Sequence, residues 1–215
     1  MHKIVAIDGP AGSGKGTIAK RLSNECNLLY IDTGAMYRAI AYKALEENIN
    51  LDEEEKIVDL AKNCKIEFID GKTYLNGNDI SKEIRSMEVT KIVSPVSGIV
   101  KLREILVKLQ RQMAMGNDVI MEGRDITTVV FPNATYKIYL DADVEERANR
   151  RFKENKEKGF NVSYEEILEN IKKRDYNDMH KEVGALKRTL DSIYIDSTNM
   201  TIDEVVEKIK NIIEE

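Results

Sequence analysis

Gly9, Pro10, Ala11, Gly12, Ser13, Gly14, Lys15, Gly16 and Thr17 form a run whose residue types suit one task, holding the phosphates of a nucleotide. Its glycines let the backbone turn tightly and aim N–H groups at phosphate oxygens, and a helix expected to start near Lys15 adds its positive end. Lys15 then bridges the outer phosphates of a nucleoside triphosphate. In the common form of this loop a serine or threonine follows the lysine and ligands Mg²⁺; here Gly16 takes that place and Thr17 comes one residue later. A metal arriving with the triphosphate is therefore expected to be held mainly by phosphates and water, with no direct protein ligand. A plain strand-to-helix turn with a solvated lysine explains fewer of these features. The spacing also departs from the dinucleotide fingerprint, which carries no lysine, so nicotinamide and flavin chemistry is not expected.

Further cations stand where strands hand over to helices or where helices border a charged segment: Arg38, Arg124, Arg150, Arg151, Arg174 and Lys181. Taken singly, each reads as a surface salt-bridge partner. Together with a phosphate loop they are the set that phosphoryl transfer needs, because charge on the transferred group must be met from several sides. Glu122 and Asp125 end a core strand, the first placed to order water on Mg²⁺ and the second to face an acceptor, with helix capping as the plainer alternative. His2 and His180 sit among solvent-facing residues and offer no nucleophile or base pair.

The elements that position these groups alternate. Ile4 to Ile7, Leu28 to Ile31, Asp118 to Met121, Tyr136 to Leu140 and Ile193 to Ile195 read as buried parallel strands. Helices are expected over 17–26, 34–45, 51–63, 87–115 with a division near Ser94 and Pro95, 143–157, 163–178 and from Thr201 onward. Between the third helix and the long one, Ile66 to Ile69, Thr73 to Leu75 and the turns Asp70-Gly71 and Asn76-Gly77 switch to hairpin signals. The fold class is therefore α/β, a doubly wound parallel sheet with ligands at the carboxyl ends of its strands and a small antiparallel β insert. Lys153 to Asn161, charged and containing Gly159, suits a mobile flap or a solvated loop.

At 215 residues, 42% hydrophobic and 33% charged, the chain suffices for one core domain. A net charge of −5 argues against non-specific binding to nucleic acid, so any phosphate site has to be built locally. Cys26 and Cys64 show neither metal-ligand spacing nor a disulfide pattern and read as buried thiols. The first strand begins within four residues of Met1, and no apolar run reaches membrane-spanning length, so a cytoplasmic protein is expected.

The ordered set Ile7 to Thr17, Asp32-Thr33-Gly34-Ala35-Met36-Tyr37-Arg38, Leu75-Asn76-Gly77, Ile84-Arg85, Glu122-Gly123-Arg124-Asp125, Thr128 to Pro132 and Glu146-Arg147-Ala148-Asn149-Arg150-Arg151 resembles bacterial cytidylate kinase along essentially the whole chain. The resemblance implies a P-loop NTPase core in one domain, 1–215, with a monophosphate-binding insert at about 64–85 and a short helical lid at about 149–161. It implies transfer of a phosphoryl group from ATP with Mg²⁺ to CMP or dCMP, by a monomer that uses no nucleic acid or membrane partner. Gly9 to Thr17 then bind ATP, and Lys15, Arg124, Arg150 and Arg151 carry the transfer. Thr33, Tyr37 and Arg38 border the acceptor, Arg38 and Arg124 hold its phosphate, Ser94, Arg103 and Asp125 address the cytosine edge, and Arg174 and Asp178 hold the sugar.

Cytosine presents a donor at N4 and acceptors at N3 and O2, so a carboxylate and hydroxyl facing the amine and an arginine facing the acceptors are complementary to it. Uracil places an acceptor against the carboxylate and is disfavoured. The acceptor's phosphate is largely ionised at neutral pH, its second pKa being about 6, so no general base is needed. Two positions depart from the family pattern: Lys181 stands where a third arginine is usual, keeping charge without the planar fork, and Ala185 stands where proline usually precedes leucine. An adenylate or uridylate kinase is the nearest rival enzyme. A nucleotide switch is a rival from another class, disfavoured because Asn155-Lys156-Glu157-Lys158 fails the guanine motif at its last position.

Overall fold

Short apolar runs and capped amphipathic segments alternate along the chain, and in the computed structural model, which describes residues 2–157 and 159–214, they become strands and helices in that order. The elements are β1 (Ile4–Asp8), α1 (Lys15–Glu25), β2 (Leu29–Asp32), α2 (Thr33–Glu46), α3 (Glu54–Asn63), β3 (Ile66–Ile69), β4 (Lys72–Leu75), β5 (Asn78–Asp79), α4 (Met87–Val96), α5 (Val100–Ala114), β6 (Val119–Gly123), β7 (Tyr136–Asp141), α6 (Val144–Glu157), α7 (Tyr164–Met179), β8 (Ile193–Asp196) and α8 (Ile202–Glu214).

Five strands form a parallel sheet in the order β2-β6-β1-β7-β8. Helices cover both faces. Ala6, Ile31, Val119 and Met121 face a core built with α2 to α5, while Val5, Ile7, Ile120 and Leu140 face one built with α1 and α8. Strands buried on both sides explain why these runs are continuously apolar rather than alternating. Chain order reverses between β1 and β6, and the carboxyl ends of these two strands deliver Asp8, Glu122 and Gly123 to a crevice.

Caps fix the helix starts that matter for the site. Asp32 accepts the N–H of Ala35 at 2.8 Å, so α2 begins at Thr33 and presents Tyr37 and Arg38 one turn in. Ser163 and Glu166 form a capping box at the start of α7. Gly9 closes the approach of the loop to the sheet: a Cβ there would lie 2.0 Å from the carbonyl oxygen of Leu140 on β7.

Three local expectations need correction. The long helical stretch is divided as expected, but slightly later: Pro95 sits inside the last turn of α4, and the break falls at Ser97 to Ile99. Buried Val93 and Val96 draw that turn into the core, and Ser97 N–H still reaches Val93 O at 2.9 Å, which offsets the donor Pro95 lacks. The charged segment from Lys153 is helical as far as Glu157 rather than loose, while Lys158 lies outside the described residues. Cys26 and Cys64 are free but half-buried, not buried.

The β insert forms a separate antiparallel sheet, β3-β4-β5, followed by a 3₁₀ turn at Glu83–Arg85. The turn at Asp70 and Gly71 reaches α1, where Lys20 Nζ donates to Gly71 O at 3.5 Å.

Candidate active site

Lys15 is the first residue of α1 and only 4% exposed. Its ammonium donates to Pro10 O at 2.7 Å and to Ser13 Oγ at 3.2 Å within its own loop. Burial, reinforced by the neighbouring Arg124, pushes its pKa down. Glu122, at the end of β6, stands beside Gly16, and burial together with Asp32 pushes its pKa up. Tyr30 on β2 donates its hydroxyl to Glu122 Oε1 at 3.5 Å. The loop opens on a cleft of ≈ 1880 Å³ between the sheet edge, the insert and α6 and α7.

Across that cleft, Arg38, Arg124 and Arg174 converge from α2, the end of β6 and α7. Arg38 donates to Ile84 O at 3.3 Å and to Thr90 Oγ1 at 3.2 Å. Arg124 Nε donates to Asp178 Oδ2 at 2.7 Å. Among the described residues no hydrogen bond from Arg174 is found, and burial followed by the charges of Arg124 and Arg38 pushes its pKa down to about 9. Arg38 is likewise lowered, to about 10, chiefly by burial. Arg38 and Arg174, each lowered by burial and by neighbouring guanidiniums, stand with Arg124, which Asp178 holds up against its burial, in a cluster suited to an anion.

The structure separates Arg150 from Arg151 on α6. Arg151 adds to the charge felt by Arg38 and Arg174, and pairs with Glu154 at 2.8 Å. Arg150 turns the other way, onto Glu146 at 3.0 Å and the carbonyl of Ser197 at 2.7 Å.

A small pocket of ≈ 60 Å³ lies against this cation cluster, lined by Thr33, Tyr37, Ser94, Arg103 and Asp125 among others. Arg103 and Asp125 form an ion pair whose side chains are 5% and 7% exposed. Arg103 also donates to Ser97 O at 3.0 Å and lies 5.3 Å over the Tyr37 ring, while its Nε finds no partner among the described residues. Thr33 spends its hydroxyl on Glu122 O at 2.8 Å. Asp178 receives Arg124 on one oxygen and Lys181 on the other at 2.8 Å; burial pulls its pKa up, but these cations with Arg174 outweigh it and hold the carboxyl well below the usual range. Lys181 reaches Ser97 Oγ as well, at 2.9 Å.

Four contributors escaped the sequence reading. Asp8 accepts from Ile126 N, Thr127 N and Thr127 Oγ1 at 2.9, 2.8 and 2.6 Å, anchoring the π-helical turn Ile126–Val130 next to Asp125. Gly184, at φ +70, backs the Arg103–Asp125 pair so closely that a Cβ would fall 2.1 Å from Arg103 Nη2. Arg147 and Asp175 hold the phosphate loop from behind. For Asp8, a lone acid closing an apolar strand just before the loop was the available signal; Arg147 lay inside the run Glu146 to Arg151 with no role attached to it, and for Asp175 and Gly184 there was none.

A family model described as cytidylate kinase matches residues 5–215. The chain is 51% identical to a cytidylate kinase of Alkaliphilus oremlandii over 97% of its length and 96% of the relative's, and 47% identical to one of Bacillus subtilis, covering 98% and 96%. Among solved structures, an uncharacterized protein from Eubacterium ventriosum aligns at TM-score 0.56 and 14% identity, covering 100% of this chain and 99% of that one. A shikimate kinase from Bacteroides thetaiotaomicron aligns at TM-score 0.51 and 10% identity, with 99% of each chain covered, a likeness of fold alone.

Proposed function

The chain belongs to the cytidylate kinase family and is a nucleoside monophosphate kinase, and from this premise we infer how its two pockets divide the reaction. It transfers the γ-phosphoryl group of ATP to CMP or dCMP, giving ADP and CDP or dCDP. The loop from Gly9 to Thr17 takes the phosphates of ATP, with Lys15 leaving Pro10 O and Ser13 Oγ to meet them. The acceptor lies with its phosphate among Arg38, Arg124 and Arg174 and its base in the small pocket. The observation that carries this reading is the Arg103–Asp125 pair, a buried donor and a buried acceptor side by side, in one pocket with Arg124 and Arg174.

Asp125 and the Ser94 hydroxyl take the cytosine amine, and Arg103 takes O2 and N3. Asp178 and Lys181 border the sugar. The acceptor's phosphate oxygen attacks in line; its lone pair forms the new P–O bond as the bond to the β-phosphate oxygen breaks, and the electron pair leaves with ADP. Lys15, Arg124 and Arg151 stabilise the charge spread over the transferred group, and Arg150 joins them when the lid, 149–161, turns in. The insert, 64–85, closes over the acceptor from the other side.

Glu122 Oε1 lies 3.1 Å from where a Cβ on Gly16 would stand, so a hard carboxylate faces the phosphate loop at the place where the usual hydroxyl is missing. That donor fits a hydrated Mg²⁺ held by ATP phosphates, with Glu122 ordering its water. Such an ion would supply positive charge against the phosphates. We take the protein to act as a cytoplasmic monomer. Among the described residues no helix is long and apolar enough to cross a membrane.

An ADP-release assay with ATP and Mg²⁺ tests the reading, offering CMP, dCMP, UMP, AMP and GMP in parallel at equal concentration. Turnover with CMP and dCMP far above the rest is expected. Preference for AMP or UMP overturns the base pocket, and absence of turnover overturns the transfer itself.

A further inference from the structure

Arg147 on α6 and Asp175 on α7 are charged, 5% and 8% exposed, and have no part in the roles just given. They meet at 2.6 Å over a single residue of the phosphate loop. Asp175 Oδ1 accepts the N–H of Ala11 at 3.2 Å, and Arg147 Nη1 donates to Ala11 O at 2.9 Å. Arg147 Nε is tied to Ala142 O, just past β7, at 2.9 Å. At the next residue, Gly12, φ is +78, and a Cβ would touch Arg147 Cβ at 3.4 Å. Both polar groups of Ala11 are therefore held by a pair of opposite charges, and its N–H is turned toward a carboxylate instead of toward the nucleotide.

A buried ion pair is a poor device for stability alone, because apolar residues of similar volume often serve as well. Its geometry here has a more specific effect. Fixing the Ala11 peptide fixes where the following N–H groups, from Gly12 to Lys15, are aimed. The clamp also joins the loop to the helices that carry the acceptor and lid groups: Arg150 and Arg151 follow Arg147 within one turn of α6, and Arg174 adjoins Asp175 on α7.

We propose that Arg147 and Asp175 are a positioning pair that presets the phosphate loop for the ATP phosphates and keeps it in register with α6 and α7. This rests on the loop being the ATP site. Replacing both charges, Arg147→Met with Asp175→Leu, removes the clamp while leaving a packable apolar pair; it also strips Ala11 N–H, Ala11 O and Ala142 O of their partners, so melting is expected to stay cooperative but at a lower temperature than in the wild type. Calorimetric titration with ATP, and separately with CMP, is the readout. The double variant is expected to bind ATP about tenfold more weakly, a difference of about 1.4 kcal/mol, with CMP affinity within about twofold of wild type. Asp175→Asn, which keeps an acceptor for Ala11 N–H, is expected to recover part of the lost affinity.

Unchanged ATP affinity in the double variant overturns the proposal, as does an equal loss for CMP, which would make the pair a support for the whole site. If the double variant fails to fold, Asp175→Asn decides: wild-type ATP affinity there overturns the proposal, and selective weakening upholds it. Failure of the wild-type protein to bind ATP is a separate result that refutes the phosphate-loop reading.

Discussion

Asp125→Asn keeps the shape of the side chain and removes its charge, which isolates what the carboxylate does. In the free protein Arg103 is buried, with Ser97 O as its other hydrogen-bond acceptor. A neutral amide oxygen at position 125 still accepts from Arg103, so the loss is the difference between a charge-assisted and a neutral hydrogen bond, about 1–1.5 kcal/mol, well short of the 3–5 of outright pair breaking. For a chain of this length that lowers Tm by about 2–6 °C. The effect on recognition is larger because it acts twice with opposite signs. CMP loses a charge-assisted contact to its amine, while UMP trades a repelling contact for an amide that can donate to its carbonyl. With about 1.4 kcal/mol on each side, the ratio of kcat/KM for CMP over UMP falls by roughly two decades. Parallel ADP-release assays on both nucleotides, with a melting curve, read both quantities. A ratio unchanged within about twofold, alongside the expected fall in Tm, refutes the reasoning and leaves Asp125 as a brace for Arg103.

Lys15→Ala should fold normally, since the wild-type ammonium bonds only within its own loop, and should lose about 10²–10³ in turnover; circular dichroism and the ADP-release assay check both halves. Arg174→Met should raise KM for CMP and dCMP equally, because Arg174 stands with the phosphate cluster; a selective loss of CMP over dCMP would move it to the sugar. Binding of ATP without Mg²⁺ should take up protons near neutral pH. Burial, reinforced by Arg124, pushes the Lys15 pKa down, and the charge of the triphosphate raises it again, so protons are taken up on binding. Calorimetric enthalpies that vary with the buffer's ionisation enthalpy, in the direction of uptake and more so at pH 8 than at pH 6, are the expected signature.

The phosphate loop could be read from the sequence because its determinants are contiguous: glycines, lysine and the preceding apolar strand lie within fourteen residues of one another. The parallel sheet was legible for a related reason, since strands covered on both faces become uninterrupted apolar runs. Arg147 and Asp175 were not legible. They contact Ala11 from 136 and 164 residues away, and in sequence each is one more charge on a polar helix. Asp8 closes on Thr127 over 119 residues, and Gly184 takes its meaning from the Arg103 guanidinium it lies against. Pro95 marked the break slightly early because a local rule met a tertiary pull: the buried valines beside it keep the turn helical.

The cation cluster has a bearing on the direction of the reaction. One phosphoanhydride bond is broken in ATP and one is made in the product diphosphate, so the negative charge in the cleft is displaced by the length of a phosphoryl group and its total is nearly conserved. On the proposed reading, Lys15, Arg38, Arg124, Arg151 and Arg174 would surround almost the same charge before and after transfer, so the cage itself would favour neither direction. A cage of this kind works as a two-way valve, and the balance of nucleotides outside sets the net flow.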